Sequence, residues 1–262
     1  MQLAGKKVLI TGGTRGIGKC IINELVDQGV SHIAVIARDK KNIKLLSEQH
    51  ENVKFIKIVG DIANIDVLRE AAARIEDKWG HLDLLINNAG IVSAGPLEEL
   101  PDEELYDQVA VNLTAVLLLT KYCIPLLKTS GEGGILNISS GLGLIGMPFY
   151  AVYSAAKAGV KQFSDAMRRE LAPDNIWVTC SFPTATDTEM MQKFKGMEMD
   201  SPEMVAKKSL EALLKKQPHV IFGGDDRINE NILNFEQPLK LDEKILKNYE
   251  DRKSASLDHK AL

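Results

Sequence analysis

Apolar residues fall in short runs that alternate with longer stretches of mixed polarity along most of the chain. Lys7-Val8-Leu9-Ile10 reads as a buried strand, and Cys20 to Val26 carries apolar residues at helical spacing. Ser31 to Ala37 reads as a second strand, Val53 to Val59 as a third and Leu82 to Ile86 as a fourth. Gly134 to Ile138, Ile176 to Phe182 and His219 to Phe222 supply the fifth, sixth and seventh. Helical spacing fills Ile65 to Trp79, then about Pro101 through Leu127 with a break near Asn112, then the Tyr153 region to about Leu171. This alternation predicts an α/β fold: a doubly wound, Rossmann-type parallel sheet of about seven strands with helices on both faces.

In such a sheet ligands bind beyond the carboxyl ends of the strands. Gly12 to Gly18 follows the first strand, Arg38 the second, Asp61 the third, and Asn87 to Gly90 the fourth. Ser140 follows the fifth and Pro183 to Thr188 the sixth, so the polar signals converge on one edge. The first of them, Thr11-Gly12-Gly13-Thr14-Arg15-Gly16-Ile17-Gly18, sits between a strand and a helix, the context a nucleotide-binding loop needs. There Gly12 permits a tight turn, Gly16 lets backbone approach a pyrophosphate, and Gly18 lets helix pack closely on strand. The helix start offers free N–H groups and partial positive charge to phosphates.

Tyr153 and Lys157 are four apart and share one helix face. An ammonium near a phenol favours the phenolate and lowers its pKa from about 10, so the pair reads as a general acid/base.

The 262 residues suit one α/β domain, and 45% hydrophobic with 26% charged residues suffices for a large core and a soluble surface. A formal charge of −4 gives no nucleic-acid footprint. Cys20, Cys123 and Cys180 have no metal or redox spacing, and their odd number suggests reduced thiols in a cytoplasmic setting. The first strand begins too early to leave room for a signal peptide. The longest apolar run, near Ala115 to Leu119, is too short to span a bilayer, so no integral membrane segment is expected.

These motifs, in this order, resemble the classical short-chain dehydrogenases/reductases over roughly Lys6 to Met190. The resemblance rests on the glycine turn, Asn87-Asn88-Ala89-Gly90, Asn112, Ser140, and Tyr153 with Lys157; Ser140 precedes Tyr153 by thirteen positions, the interval of that family. It implies that Tyr153 is the acid/base, that Ser140 holds the substrate oxygen, and that Lys157 lowers the Tyr153 pKa and binds the nicotinamide ribose. Asn112 would support a water near Lys157, or bond backbone at a helix kink, the two roles being compatible. The same resemblance sets Gly12, Thr14, Arg15, Gly16, Ile17 and Gly18 on the cofactor, with Asn88, Ala89 and Gly90 lining it. Asp61 and the Ile62 backbone would contact adenine, with Pro183 and Thr188 at the nicotinamide; Asp61 could equally cap a helix. Asn87 reads as structural.

NAD-binding folds of this kind usually end the second strand in an acidic residue. Here Ala37-Arg38 stands there, and Arg15 would reach the same 2′-phosphate, so NADP(H) is expected over NAD(H); Asp39 should point away.

The resemblance implies a single catalytic domain over residues 1–224, with a substrate lid at 189–200, and a charged, partly helical extension over 225–262. Pro183-Thr184 replaces the Pro-Gly of many members. Four methionines and Phe194 in Glu189 to Asp200 suit a bulky apolar ligand or an amphipathic helix. Leu142, Leu144, Ile145, Met147 and Phe149 would form the facing wall. Ser201-Pro202-Glu203 caps a helix to Lys216. Leu239 to Tyr249 forms a helix with Ile245, Leu246 and Tyr249 on one face, and Asp251 to Leu262 is disordered. Leu113 to Leu127 and Ser154 to Leu171 would pair in a homodimer or homotetramer. The expected activity is reduction of an apolar ketone or aldehyde, with a non-catalytic NADP(H) sensor or scaffold as the alternative.

Overall fold

Along β1 (Lys7–Thr11), Val8 and Ile10 point to one side of the sheet and Leu9 to the other, and all three are fully buried. A strand buried on both faces needs helices above and below it. The computed structural model, which describes residues 2–192, 198–257 and 259–261, supplies both layers. The chain continues through α1 (Gly16–Asp27), β2 (His32–Ala37), α2 (Lys40–Gln49), β3 (Lys54–Val59), α3 (Ile65–Trp79), β4 (Leu84–Asn87) and β5 (Val92–Ser93). Then come α4 (Asp102–Val109), α5 (Ala115–Thr129), β6 (Gly133–Ile138), α6 (Ala151–Glu170), β7 (Ile176–Phe182), α7 (Pro202–Leu214) and β8 (His219–Ile221). The end is formed by α8 (Gly224–Glu236), α9 (Pro238–Leu246), α10 (Tyr249–Leu257) and β9 (Lys260–Ala261).

Seven strands pair in the order β3-β2-β1-β4-β6-β7-β8, all parallel, with Val8 opposite both Ile33 and Leu84. The doubly wound Rossmann-type sheet is therefore present, and its order reverses between β1 and β4, where such folds bind ligands. One core packs α3 and α5 on Leu9, Ile36, Leu85 and Ile135; the other packs α1 and α7 on Ile10, Val35, Ile86 and Leu136.

Local chemistry sets the helix ends. Asn64, not Asp61, caps α3 by accepting from the Asp66 N–H at 2.9 Å, and Gly80 closes it in the left-handed conformation. Asp61 instead accepts from the Ala63 N–H at 2.8 Å, a turn of its own. Ser201 caps α7, which ends at Leu214.

The break expected near Asn112 is a π-helical turn, Ala110–Thr114, that joins α4 and α5 without interruption. The resulting helix, Asp102–Thr129, is 28 residues long, and by length and composition alone it could cross a bilayer. That corrects the expectation of no such stretch, which considered only the uninterrupted apolar run. Leu119, Cys123 and Leu127 of this helix lie in the core, and three acids open its first turn.

The C-terminal end differs most from expectation. Where disorder was expected, the described residues form α10, which runs to Leu257, and β9, which pairs antiparallel with β5, Ala261 opposite Val92 and Lys260 opposite Ser93. In α9 it is Leu241 and Ile245 that are buried, while Leu246 is 55% exposed, because the packed face follows the four-residue spacing. Large exposed apolar side chains gather on α4 (Tyr106, Val109) and on the tail (Ile228, Ile232, Phe235, Leu239), rather than on the two helices expected to pair copies.

Candidate functional site

Gly12 has φ +66°, and a Cβ there would meet Ala89 Cα at 2.9 Å. A Cβ on Gly18 would lie 2.2 Å from the Gly12 carbonyl oxygen and 2.4 Å from Asn88 Nδ2. The turn is thus pressed against the end of β4. Asn88 pins it there, donating from Nδ2 to the Thr11 and Gly12 carbonyls at 3.1 Å each. The Asn88 and Ala89 N–H groups donate to Thr11 Oγ1 at 3.0 Å. Thr11, to which the sequence assigned no role, is the clasp between β1 and β4; its position at a strand end beside the glycine turn was the available signal.

The start of α1 is chemically open. Arg15 in the cap position makes no side-chain cap bond, and the first turn holds no acid. Thr14, Gly16 and Ile17 surround this opening, and Thr188 Cγ2 lies 3.1 Å from where a Gly16 Cβ would project. A twelve-residue helix with uncapped N–H groups and a turn that excludes side chains fits a dinucleotide diphosphate.

Arg15 Nη1 pairs with Glu189 Oε2 at 2.8 Å, both side chains being 54% exposed. Arg38 is exposed just beyond β2. The Asp39 carboxylate caps α2, accepting from Lys41 and Asn42 N–H at 2.7 and 3.3 Å. Ile62 is buried in the core below.

Tyr153 and Lys157 share the inner face of α6, with Lys157 Nζ 5.7 Å from the Tyr153 ring centre. Lys157 is 4% exposed and donates to the Ile138 carbonyl at 3.1 Å. Of the two adjacent serines, Ser139 is committed to the Lys157 carbonyl at 2.8 Å. Ser140 Oγ accepts from the Leu142 N–H at 3.1 Å and lies near enough to the Tyr153 phenol to favour its ionised form.

The sign of the phenol's shift is a correction. Burial pushes Tyr153 up to about 12; the Ser140 hydrogen bond pulls it down less strongly, and Tyr150 pushes up as well. Lys157 contributes no resolved lowering; its own ammonium is brought down to about 8 by burial. Removal from water sets the phenol's shift in place of the charge effect expected from Lys157.

Asn112 is fully buried, and its amide is occupied by the backbone of Ile91: Oδ1 accepts from the N–H at 3.1 Å and Nδ2 donates to the carbonyl at 2.8 Å. Of the two expected roles, this is the helix-kink one. Gly90 completes the floor, since a Cβ there would sit 2.9 Å from Asn112 Oδ1 and 3.3 Å from Lys157 Nζ. Asn87 ties strands, donating to Asn137 Oδ1 at 2.8 Å. All three thiols are held up by burial, Cys20 to about 11 and Cys123 and Cys180 to about 12, which removes them as nucleophiles.

Pro183 accepts from the Gly141 N–H at 2.8 Å. Thr184, where the resemblance led to glycine being expected, donates from Oγ1 to Asp200 Oδ2 at 2.5 Å. Residues 193–197 of the expected lid, including Phe194, lie outside the described residues. A groove of 320 Å³ between α3 and α5, lined by Arg69, Glu76 and Tyr122 among others, includes none of the site residues.

A glycine cradle at the switch point of a parallel sheet, opening on a helix start, defines a dinucleotide-binding class of protein. The chain belongs to the short-chain dehydrogenase family, an oxidoreductase family whose sequence model matches residues 6–198. It is 32% identical over 237 residues to the 3-oxoacyl-(acyl-carrier-protein) reductase of Thermotoga maritima, covering 89% of this chain and 91% of that one. Among solved structures, a short-chain dehydrogenase from Burkholderia cenocepacia in complex with NADP superposes with TM-score 0.82 at 28% identity, covering 94% and 99% of the two chains. A 3-ketoacyl-(acyl-carrier-protein) reductase from Brucella melitensis complexed with NADH gives 0.77 at 27% identity, covering 84% and 98%.

Proposed function

We propose that the protein is an NADP(H)-dependent reductase of apolar ketones or aldehydes with Tyr153 as general acid. The observation that carries this reading is the half-buried Tyr153 on the inner face of α6, with Lys157 Nζ 5.7 Å from its ring centre. A phenol held near 12 is an acid at neutral pH, the state needed to give a proton to a carbonyl oxygen as it becomes an alkoxide. Ser140 orients that oxygen. Lys157, still largely cationic at neutral pH, holds ribose hydroxyls and stabilises the phenolate left behind. The nicotinamide, when bound, supplies the hydride. Asn112 and Gly90 keep the floor beneath Lys157 in place.

NADP(H) preference rests on Arg38 at the end of β2 and on the withdrawal of the Asp39 carboxylate into its helix cap. Arg15 joins by exchanging its exposed Glu189 pair, a contact worth little in water, for a phosphate. An apolar class of substrate is supported by Leu144, Met147 and Phe149 in the segment beyond Ser140, Ile145 being closed off against α9. The catalytic unit is residues 1–224, followed by the extension over 225–262. Reduced cysteines suit a cytoplasmic setting, and exposed Tyr106 and Val109 on α4 suit a homodimer or tetramer, which sedimentation would read directly.

Tyr153→Phe tests the reading. NADPH oxidation with a panel of apolar ketones and aldehydes should fall by about 10²–10⁴-fold in the variant while NADPH binding is retained. Tight NADPH binding without turnover in the unaltered protein would transfer the assignment to a cofactor sensor.

A further inference from the structure

After β8 the chain turns through Gly223 and Gly224, both at positive φ (+91° and +63°), and enters α8. No residue of α8 is buried. Leu233 packs inward on the cluster of Ile145, Leu241 and Ile245. Ile228, Ile232 and Phe235, at i, i+4 and i+7, share a different face and stand exposed, Phe235 at 89%. Leu239, at the start of α9, is exposed as well. Water is a poor neighbour for such a stripe, and a contiguous apolar patch of this kind on a soluble chain marks a surface that another molecule covers.

Charge decides what covers it. The helix carries Asp225, Asp226, Glu230 and Glu236 against Arg227, which Glu230 already holds at 3.1 Å. An anionic lipid surface is repelled by that balance. The stripe does match itself. Asp225 and Asp226 stand at one end and Lys240 just past the other, Ile232 being seven residues from Asp225 and eight from Lys240. Among the described residues, none of these three charges is in an ion pair. Two copies laid antiparallel about Ile232 bring the acids of each level with Lys240 of the other, the reciprocity that a two-fold axis imposes. A parallel arrangement sets acid against acid. We propose that the Ile228–Ile232–Phe235 face of α8, extended by Leu239, is a docking surface for a second copy of this chain, paired antiparallel about a two-fold axis at Ile232. Four such side chains on each of two copies present apolar area on the order of 1,000 Å², the size at which an interface becomes specific. This contact is separate from the α4 face and holds whatever the reaction catalysed.

The test is sedimentation of the full chain over a range of concentrations, run in the Tyr106→Asp protein so that the exposed α4 face contributes nothing. Self-association should persist there, and adding Phe235→Asp should weaken it by about tenfold or more. Lys240→Glu alone, and Asp225→Lys with Asp226→Lys, should each weaken it by about threefold, and the three together should restore it. All these side chains are exposed, so the variants should melt with the unaltered protein; should Tyr106→Asp fail to fold, the charge series in the unaltered background decides. A monomer at every concentration overturns the proposal, as does association indifferent to Phe235→Asp, or a triple reversal that restores nothing. Flotation with vesicles of phosphatidylcholine and phosphatidylserine, seen for the unaltered protein and lost in Phe235→Asp, overturns it in favour of lipid.

Discussion

Lys157 carries the sharpest conflict between stability and chemistry in the molecule. Its ammonium is buried with one hydrogen bond, to the Ile138 carbonyl, and burial lowers it from 10.5 to about 8. The folded state therefore binds this proton less tightly than the unfolded chain does. Its cost is present in full below about 8 and is relieved as pH rises from there toward 10.5. Replacing the charge by an apolar chain of similar shape should stabilise the fold at neutral pH. Lys157→Met is expected to melt several degrees higher at pH 7, by an amount on the order of 1–3 kcal/mol, and to lose reductase turnover. The same shift gives a pH profile: turnover in the direction of reduction should decline as pH rises through about 8 and Lys157 loses its charge, while Tyr153, near 12, keeps its proton. The residue identities were legible in the chain because spacing carries them. The direction of the Tyr153 shift was not, since it depends on depth from solvent, which a four-residue spacing does not encode.

At the scale of elements, the turn between β1 and α1 is the part whose sequence requirement is tightest. Gly18 lets α1 start within van der Waals reach of the Gly12 carbonyl and the Asn88 amide, backbone and hydrogen-bonded groups that cannot simply swing aside. Gly18→Ala should separate helix from turn, break the Asn88 clasp, destabilise the protein by about 1–3 kcal/mol and weaken NADPH binding; thermal melting and cofactor titration would show both effects. Gly80→Ala, at a helix end with nothing nearby to clash, should leave cofactor affinity unchanged and lower stability only through the backbone strain of alanine at φ +73°. The elements with strong periodicity, α3 and β7, begin and end where the apolar pattern placed them. β4 begins two residues late because the Leu82 N–H bonds the end of α5 instead of a neighbouring strand. The β5–β9 pair was not legible: each partner is two residues long, and more than 160 residues separate them. Nor was the packing of the tail, since α8 buries no residue and only Leu241 and Ile245 of α9 mark the inner face.

For the whole molecule, cofactor binding and fold stability are one equilibrium, because the groups that would hold the dinucleotide come from segments far apart in sequence. The glycine turn, Arg38, Asn88–Gly90, Lys157 and Thr188 are assembled only when β1, β2, β4 and α6 are in place, so the unfolded chain offers no equivalent site. A ligand at a hundred times its dissociation constant then adds about 2.7 kcal/mol. For a chain of this size that corresponds to a rise in melting temperature of roughly 5–10 °C. If the Arg38 guanidinium receives the 2′-phosphate, NADPH should raise the melting temperature more than NADH at equal concentration. Arg38→Ala should then bring the two curves together by lowering the NADPH curve alone. Arg15→Ala should have a smaller effect, since that guanidinium starts from an ion pair with Glu189 and must exchange one partner for another. Equal stabilisation by both cofactors in the unaltered protein would remove the preference for NADP(H). Because the readout is melting rather than turnover, the result stands whichever carbonyl compound the site accepts.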